Sequence, residues 1–212
     1  MRIGINVSTL NKEEKFTGIS YYVLSILKEI LKNSKNEYYL FSNGEINYEV
    51  PKRKNIHLII CKTKKQIVFS RYILGFLILK YRVDILWSPS HILPLLNLRK
   101  IKFYLTIHDL ANYIIEDISP NKTITKAYKK YIIFSSCRKA EKVIADSIST
   151  KNDIVKLIGL DKKKIEVVYL GCPETNTDAD ENIIKKMGVK GQYFLYLGTL
   201  QPRKNIDLIV DG

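Results

Sequence analysis

The sequence predicts an α/β fold, a doubly wound parallel sheet covered by helices on both faces. Two observations carry that reading. Short β-branched or aromatic runs alternate along the chain with longer amphipathic segments. The short runs are also apolar throughout, as strands buried on both faces must be. A third observation sets the scale: 212 residues, 46% hydrophobic and 26% charged, can bury a real core in one large domain or two small ones.

The elements follow in order. Arg2 to Ser8 reads as the first strand. After a polar loop, Thr17-Gly18 opens a helix to about Leu31, with Ile19, Tyr22, Val23, Ile26, Leu27 and Ile30 on one face. Glu37 to Ser42 is the second strand, and Asn43-Gly44 is a turn signal. Ile56 to Cys61 is the third strand, Lys65 to Tyr81 a mostly apolar helix, and Asp84 to Ser88 the fourth strand, ended by Pro89. Lys102 to Ile107 is the fifth strand. Lys122 to Cys137 is helical, with Tyr128, Tyr131, Ile132 and Ser135 expected to face inward. Lys142 to Ala145 is the sixth strand, Ser149 caps a helix closed by Gly159, and Ile165 to Tyr169 is the seventh strand. The pattern is Rossmann-like, so ligands are expected at the carboxyl ends of strands one, four, five and six.

At Gly171 the composition changes to the polar, locally acidic Cys172 to Asp180. Residues 1–171 therefore read as one domain and 172–192 as a connection. Tyr193 to Leu197 is expected to be a fresh strand, so 193–212 reads as the beginning of a second, incomplete domain.

Composition excludes several classes. Cys61, Cys137 and Cys172 are too few and too irregular for a disulfide framework or a CxxC site. No signal peptide or stretch of about 20 apolar residues is present, which suggests a cytoplasmic or peripheral protein. Lys and Arg number 35 against 21 Asp and Glu, a net charge of +14. That excess suggests an anionic partner or surface, or a lysine-rich compositional bias. The aromatic, zinc-ligand and helix-turn-helix patterns of nucleic-acid readers are missing, so nucleic acid is not an expected partner.

Four segments are candidates for chemistry. Gly18 at a helix start either admits a phosphate to free N–H groups or belongs to a plain N-cap. His108-Asp109 directly follows the fifth strand, and is either a site or a buried, satisfied histidine. His57 and His91 are the only other histidines and have no matching spacing, so no metal is expected. Trp87-Ser88-Pro89-Ser90-His91 either flanks a sugar with flat rings or packs as a rigid loop. Gly198 to Asn205 places Arg203 and Lys204 together at a helix start, where cations oppose the helix dipole unless a diphosphate is held there.

Together these segments resemble the amino-terminal half of a glycosyltransferase family 4 enzyme, a retaining transferase of the GT-B fold. Thr17-Gly18-Ile19-Ser20-Tyr21-Tyr22 is similar to the family's T-G-I-G-R-Y loop, with Ser20 for the second glycine and Tyr21 for the arginine. Leu105-Thr106-Ile107-His108-Asp109-Leu110 resembles V-T-V-H-D-L. Ala145-Asp146-Ser147-Ile148-Ser149 looks like V-S-E-F-S, and Val167 to Gly171 like V-V-P-N-G. Gly198 to Asn205 is similar to G-T-L-E-P-R-K-N, the opening of the donor domain.

The resemblance implies the acceptor-side part of an enzyme that moves a sugar from a nucleotide-sugar to a glycan or lipid-linked acceptor, without a cofactor. His108 would lie beside the donor sugar as the catalytic candidate. Gly18, Arg203 and Lys204 would contact the donor phosphates, and Ser20, Asp109 and Ser147 would bind substrate. The nucleotide pocket and the acidic E-x7-E motif of the family belong to the second domain and fall beyond Gly212, so the chain alone is expected to be inactive. The alternative is a non-catalytic acceptor- or partner-binding module, or the remnant of a truncated transferase. An anionic membrane surface on the inner face is a further expected partner.

Overall fold

The computed structural model describes all residues except 34, 97–99, 111–122, 172–182, 184–185, 190, 199–203 and 212, and only the backbone of 123–126, 129 and 211. The chain divides into two compact units, Met1–Gly171 and Cys172–Gly212.

In the first unit seven strands form one sheet: β1 (Arg2–Asn6), β2 (Glu37–Ser42), β3 (Ile56–Ile60), β4 (Ile85–Ser88), β5 (Lys102–Ile107), β6 (Lys142–Ala145) and β7 (Ile165–Val167). Every neighbouring pair is parallel, in the order β3-β2-β1-β4-β5-β6-β7. The order reverses between β1 and β4, which is the switch point of an open α/β sheet.

Side chains alternate through the sheet into two cores. Tyr38 and Leu40 of β2 join Ile5, Val23, Leu27 and Trp87 beneath α1 (Gly18–Ile30). Tyr39 and Phe41 join the opposite core with Phe69, Leu74, Ile78 and Leu105. That face is covered by the helical segment made of α2 (Gln66–Val68), a π-helical turn (Phe69–Ile73) and α3 (Leu74–Lys80). Also packed there are α4 (Thr123–Lys139) and α5 (Ile148–Ile158). Burial on both faces is why the strands read as continuous apolar runs. Gly4 is required where β1 is most crowded. A Cβ there would stand 3.0 Å from Phe41 and 3.1 Å from Val83, tighter than a packed core accepts.

Two details differ from the sequence reading. In α4 the inward residues are Ile132, Ile133, Ser136 and Cys137, whereas Tyr128 and Tyr131 are exposed. The phenol of Tyr128 meets the Tyr72 hydroxyl at 3.0 Å, on the outside of the helical layer. Cys137 is a free thiol, pushed up to about 12 by burial. The helix after β6 is capped by Ser147 rather than Ser149. Ser147 Oγ accepts the Thr150 N–H at 3.0 Å, and Gly159 closes the helix at φ +69°.

In the second unit the run Tyr193–Leu197 is not a strand, against expectation. A strand is defined by ladder hydrogen bonds, and none pairs with this run among the described residues. Its apolar side chains stay exposed, Phe194 and Leu197 most of all. α6 (Ile206–Asp211) follows it. Among the described residues no helix is long and apolar enough to cross a membrane.

Candidate functional site

The switch point is built from short polar side chains. Asn6, the last residue of β1, donates through Nδ2 to Ser70 Oγ at 3.0 Å and lies 3.4 Å from Ser88 Oγ of β4. Its Oδ1 accepts from the Ser8 hydroxyl at 2.6 Å and from the Ser8 N–H at 3.2 Å. All four side chains are buried, so each hydrogen bond avoids the cost of a desolvated, unpaired polar group. This network fixes where β1 and β4 end, and with them the loops that line the site.

His108 is the first residue beyond β5, at the carboxyl end of a central strand. Four elements converge on it. Nδ1 lies 3.0 Å from Asp146 Oδ2 beyond β6, and Nε2 lies 3.1 Å from the Pro89 carbonyl beyond β4. The ring of Tyr22 in α1 meets it edge-on, 4.7 Å between centroids. The His108 carbonyl accepts from Thr150 Oγ1 of α5 at 2.9 Å. Both ring partners are acceptors. The imidazolium donates to both, and a neutral ring to only one. The His108 and Asp146 side chains are 11% and 14% exposed, so their pairing is weakly screened while one edge of the site stays reachable.

His91 completes the frame. The backbone N–H of His108 donates to His91 Nε2 at 3.0 Å, which requires that nitrogen to be unprotonated. Loss of hydration lowers the His91 imidazole to about 4, and nearby His108 adds to that effect. His91 sits at φ +63°, a left-handed conformation that costs a non-glycine residue about 1 kcal/mol or more. Tyr22 Oη is 3.4 Å from Thr106 Oγ1, and burial raises its phenol. Trp87 donates its indole N–H to the same Thr106 oxygen at 3.1 Å. Trp87 is therefore a core residue with its polar atom committed, and the reading in which it covers a sugar face is corrected.

A cleft of about 200 Å³ opens beside His91 at the start of α1, lined among others by Thr9, Lys15, Thr17, Ser20 and Ser90. Thr9 Oγ1 and Ser90 Oγ are buried without a partner. Gly18 opens α1, and a Cβ there would meet nothing within 4 Å. Ser20 is buried and latches the loop: its Oγ accepts the Thr17 N–H at 3.1 Å and donates to the Thr9 carbonyl at 2.8 Å. Serine at this position therefore ties the β1–α1 loop to its own helix.

Five predicted site residues thus share the carboxyl edge of the first unit: Gly18, Ser20, His108, Asp109 and Ser147. Asp109 is exposed beside His108, and Ser147 is held as the α5 cap. Lys204 belongs to the second unit and is exposed, and Arg203 lies outside the described residues. Asp146, Tyr22 and the acceptor role of His91 were not singled out from sequence. Asp146 follows β6, a strand adjacent to β5, and that adjacency is the signal by which it could have been found. Among the described residues no group of His, Cys, Asp and Glu could hold a metal ion.

Comparison with known proteins agrees with this architecture. The family model Glycosyltransferase Family 4 matches residues 17–175. The O-antigen chain mannosyltransferase RfbU of Salmonella typhimurium is 29% identical over 119 residues, covering 56% of this chain and 30% of that protein. The Campylobacter jejuni N-acetylgalactosamine-N,N'-diacetylbacillosaminyl-diphospho-undecaprenol 4-alpha-N-acetylgalactosaminyltransferase is 22% identical over 221 residues, covering 99% of this chain and 58% of that protein. This chain thus spans about a third to three fifths of the length of these curated relatives. Two solved structures share the fold. A glycosyltransferase from Rickettsia africae has a TM-score of 0.51 at 17% identity, over 90% of this chain and 50% of that one. Anabaena Alr3699/HepE, in complex with UDP and glucose, has a TM-score of 0.52 at 12% identity, over 88% and 50%.

Proposed function

Because this chain belongs to glycosyltransferase family 4, we propose that it forms the acceptor-side part of an enzyme that transfers a sugar from a nucleotide-sugar to a glycan or lipid-linked acceptor. The observation that carries the reading is His108, held at the carboxyl end of β5 between Asp146 and the Pro89 carbonyl. The relatives' names support the substrate classes: one is an O-antigen chain mannosyltransferase, and the other acts on a diphospho-undecaprenol acceptor.

In this reading the donor sugar meets His108, which trades its Pro89 contact for a sugar oxygen while Asp146 keeps the ring oriented. A preoriented donor strengthens its bond as charge develops on the departing group, and needs no reorganisation at that moment. Arg203, Lys204 and the α1 start at Gly18 neutralise the leaving diphosphate. Ser20 positions the loop from within, and Asp109 and Ser147 border the bound sugar. The reaction is retaining, needs no cofactor, and takes place at an anionic membrane surface on the cytoplasmic side, where a lipid-linked acceptor is met. Residues 1–212 alone are inactive, since Lys204 lies in a unit without a sheet among its described residues.

The test is transfer from radiolabelled nucleotide-sugars to undecaprenyl-linked acceptors by residues 1–212, alone and with the donor domain of a family 4 enzyme supplied. Turnover only with the donor domain supplied, lost in His108→Ala with folding retained, is the expected result. Absence of turnover with every donor, in a folded protein, would refute enzymatic activity in favour of a binding module.

A further inference from the structure

The helical segment from Gln66 to Lys80 is apolar on both sides. Its inner stripe, Phe69, Leu74 and Ile78, is fully buried. Its outer stripe is Val68, Tyr72, Phe76 and Leu79, which are 39%, 44%, 64% and 48% exposed. The outward side of a surface helix ordinarily carries polar residues, and a contiguous apolar stripe there marks an interaction surface. The Tyr72–Tyr128 hydroxyl contact at 3.0 Å extends the stripe onto α4.

The charge around this stripe has one sign. Between Glu49 and Asp84 the chain contains no carboxylate residue. Lys62, Lys64 and Lys65 precede the stripe, and Lys80 and Arg82 follow it, all exposed. None of the five forms an ion pair among the described residues. α4 likewise has no acidic residue, and Lys130 on it is exposed. Elsewhere on the same unit Arg2, Lys12, Lys32 and Lys142 each have a carboxylate. The exposed apolar stripe is thus flanked by cations at both ends, with no carboxylate in the surrounding stretch of sequence.

We propose that this face docks on an anionic phospholipid surface. Val68, Tyr72, Phe76 and Leu79 enter the boundary between headgroups and acyl chains, and the flanking cations meet lipid phosphates. An apolar stripe rimmed by cations is the pattern of an interfacial helix. A second copy would set like charges against one another, and nucleic acid offers nothing to Val68 and Leu79. The purpose of the docking, delivery of the site to a lipid-linked acceptor, rests on the transfer reading above. The docking itself does not.

Sedimentation with phosphatidylcholine vesicles, with and without phosphatidylglycerol, tests it in the absence of any sugar donor. The protein binds the anionic vesicles, releases at high salt, and ignores the neutral ones. Phe76→Ser weakens binding about tenfold. Replacing Lys62, Lys64 and Lys65 together by Gln weakens it about a hundredfold, at about fivefold per cation. Phe76→Trp reports insertion by a blue shift of its emission. Equal affinity for neutral vesicles, no binding, or wild-type binding by these variants overturns the proposal. So does a dimer that Phe76→Ser disperses without any vesicle binding, which assigns the face to a second copy. Failure here leaves sugar transfer standing, and loss of transfer with vesicle binding intact leaves the docking standing.

Discussion

His108 in the first unit and Lys204 in the second differ in what holds them. His108 is contacted from beyond β4, from α1, from beyond β6 and from α5, and each contact comes from a separately anchored element. Lys204 is exposed, with Asn205 beside it at φ +48°. A side chain gains a fixed geometry from the number of independent elements that converge on it. The distinctiveness of the surrounding motif does not supply that. The same contrast holds for apolar residues, since Phe41 is enclosed by a sheet and the helical segment over it, whereas Phe194 packs on nothing of comparable extent.

The contrast can be broken by substitution, and the largest effect is expected in the core. Phe41→Ala should cost about 3–5 kcal/mol by emptying a buried ring's volume, read from urea denaturation of residues 1–212. A loss below about 1 kcal/mol would mean that the two regions are not differently packed. His108→Ala should lower turnover, assayed with a donor domain supplied, about 10²- to 10³-fold with little change in melting temperature. A large loss of stability with unchanged specific activity would make His108 a structural residue instead.

A third test uses proton linkage at His91. Its folded value of about 4 lies below its ordinary value near 6.5, so between those limits the unfolded chain binds more protons. The sign follows: stability is full above pH 6.5 and falls as pH drops toward 4, by up to about 3 kcal/mol. His91→Gln, which can still accept the His108 N–H, should flatten that part of the pH–stability curve. Parallel curves for wild type and variant would contradict the assignment of a neutral, accepting His91. Ser147→Ala should cost about 1 kcal/mol through loss of the α5 cap, measured by thermal melting. The smallest effect belongs to the second unit: Phe194→Ser should stay within about 0.5 kcal/mol. A larger change by calorimetry would show that this segment is packed after all.

The sequence by itself determined most of the sheet. Seven apolar runs separated by helices fix seven strands, of which the inner five are largely buried and the edge strands β3 and β7 are partly exposed. It also placed His108 directly after the fifth strand and Gly18 at a helix start, which is where the structure has them. Helix faces were less legible. In α4 the spacing alone admitted Tyr128 and Tyr131 as inward residues, and their exposure depends on where the neighbouring helical segment places Tyr72.

The tertiary structure alone decided who holds whom. Asp146 lies 38 residues from His108, and Pro89 lies 19 residues away. Nothing local relates them until β4, β5 and β6 stand side by side. Trp87 was equally consistent with a sugar platform and a core ring until Thr106 appeared opposite its indole N–H. Tyr193 to Leu197 has the composition of a strand but not its structure. A strand, unlike a helix, must find its hydrogen-bond partners in another segment, so no local pattern can guarantee one.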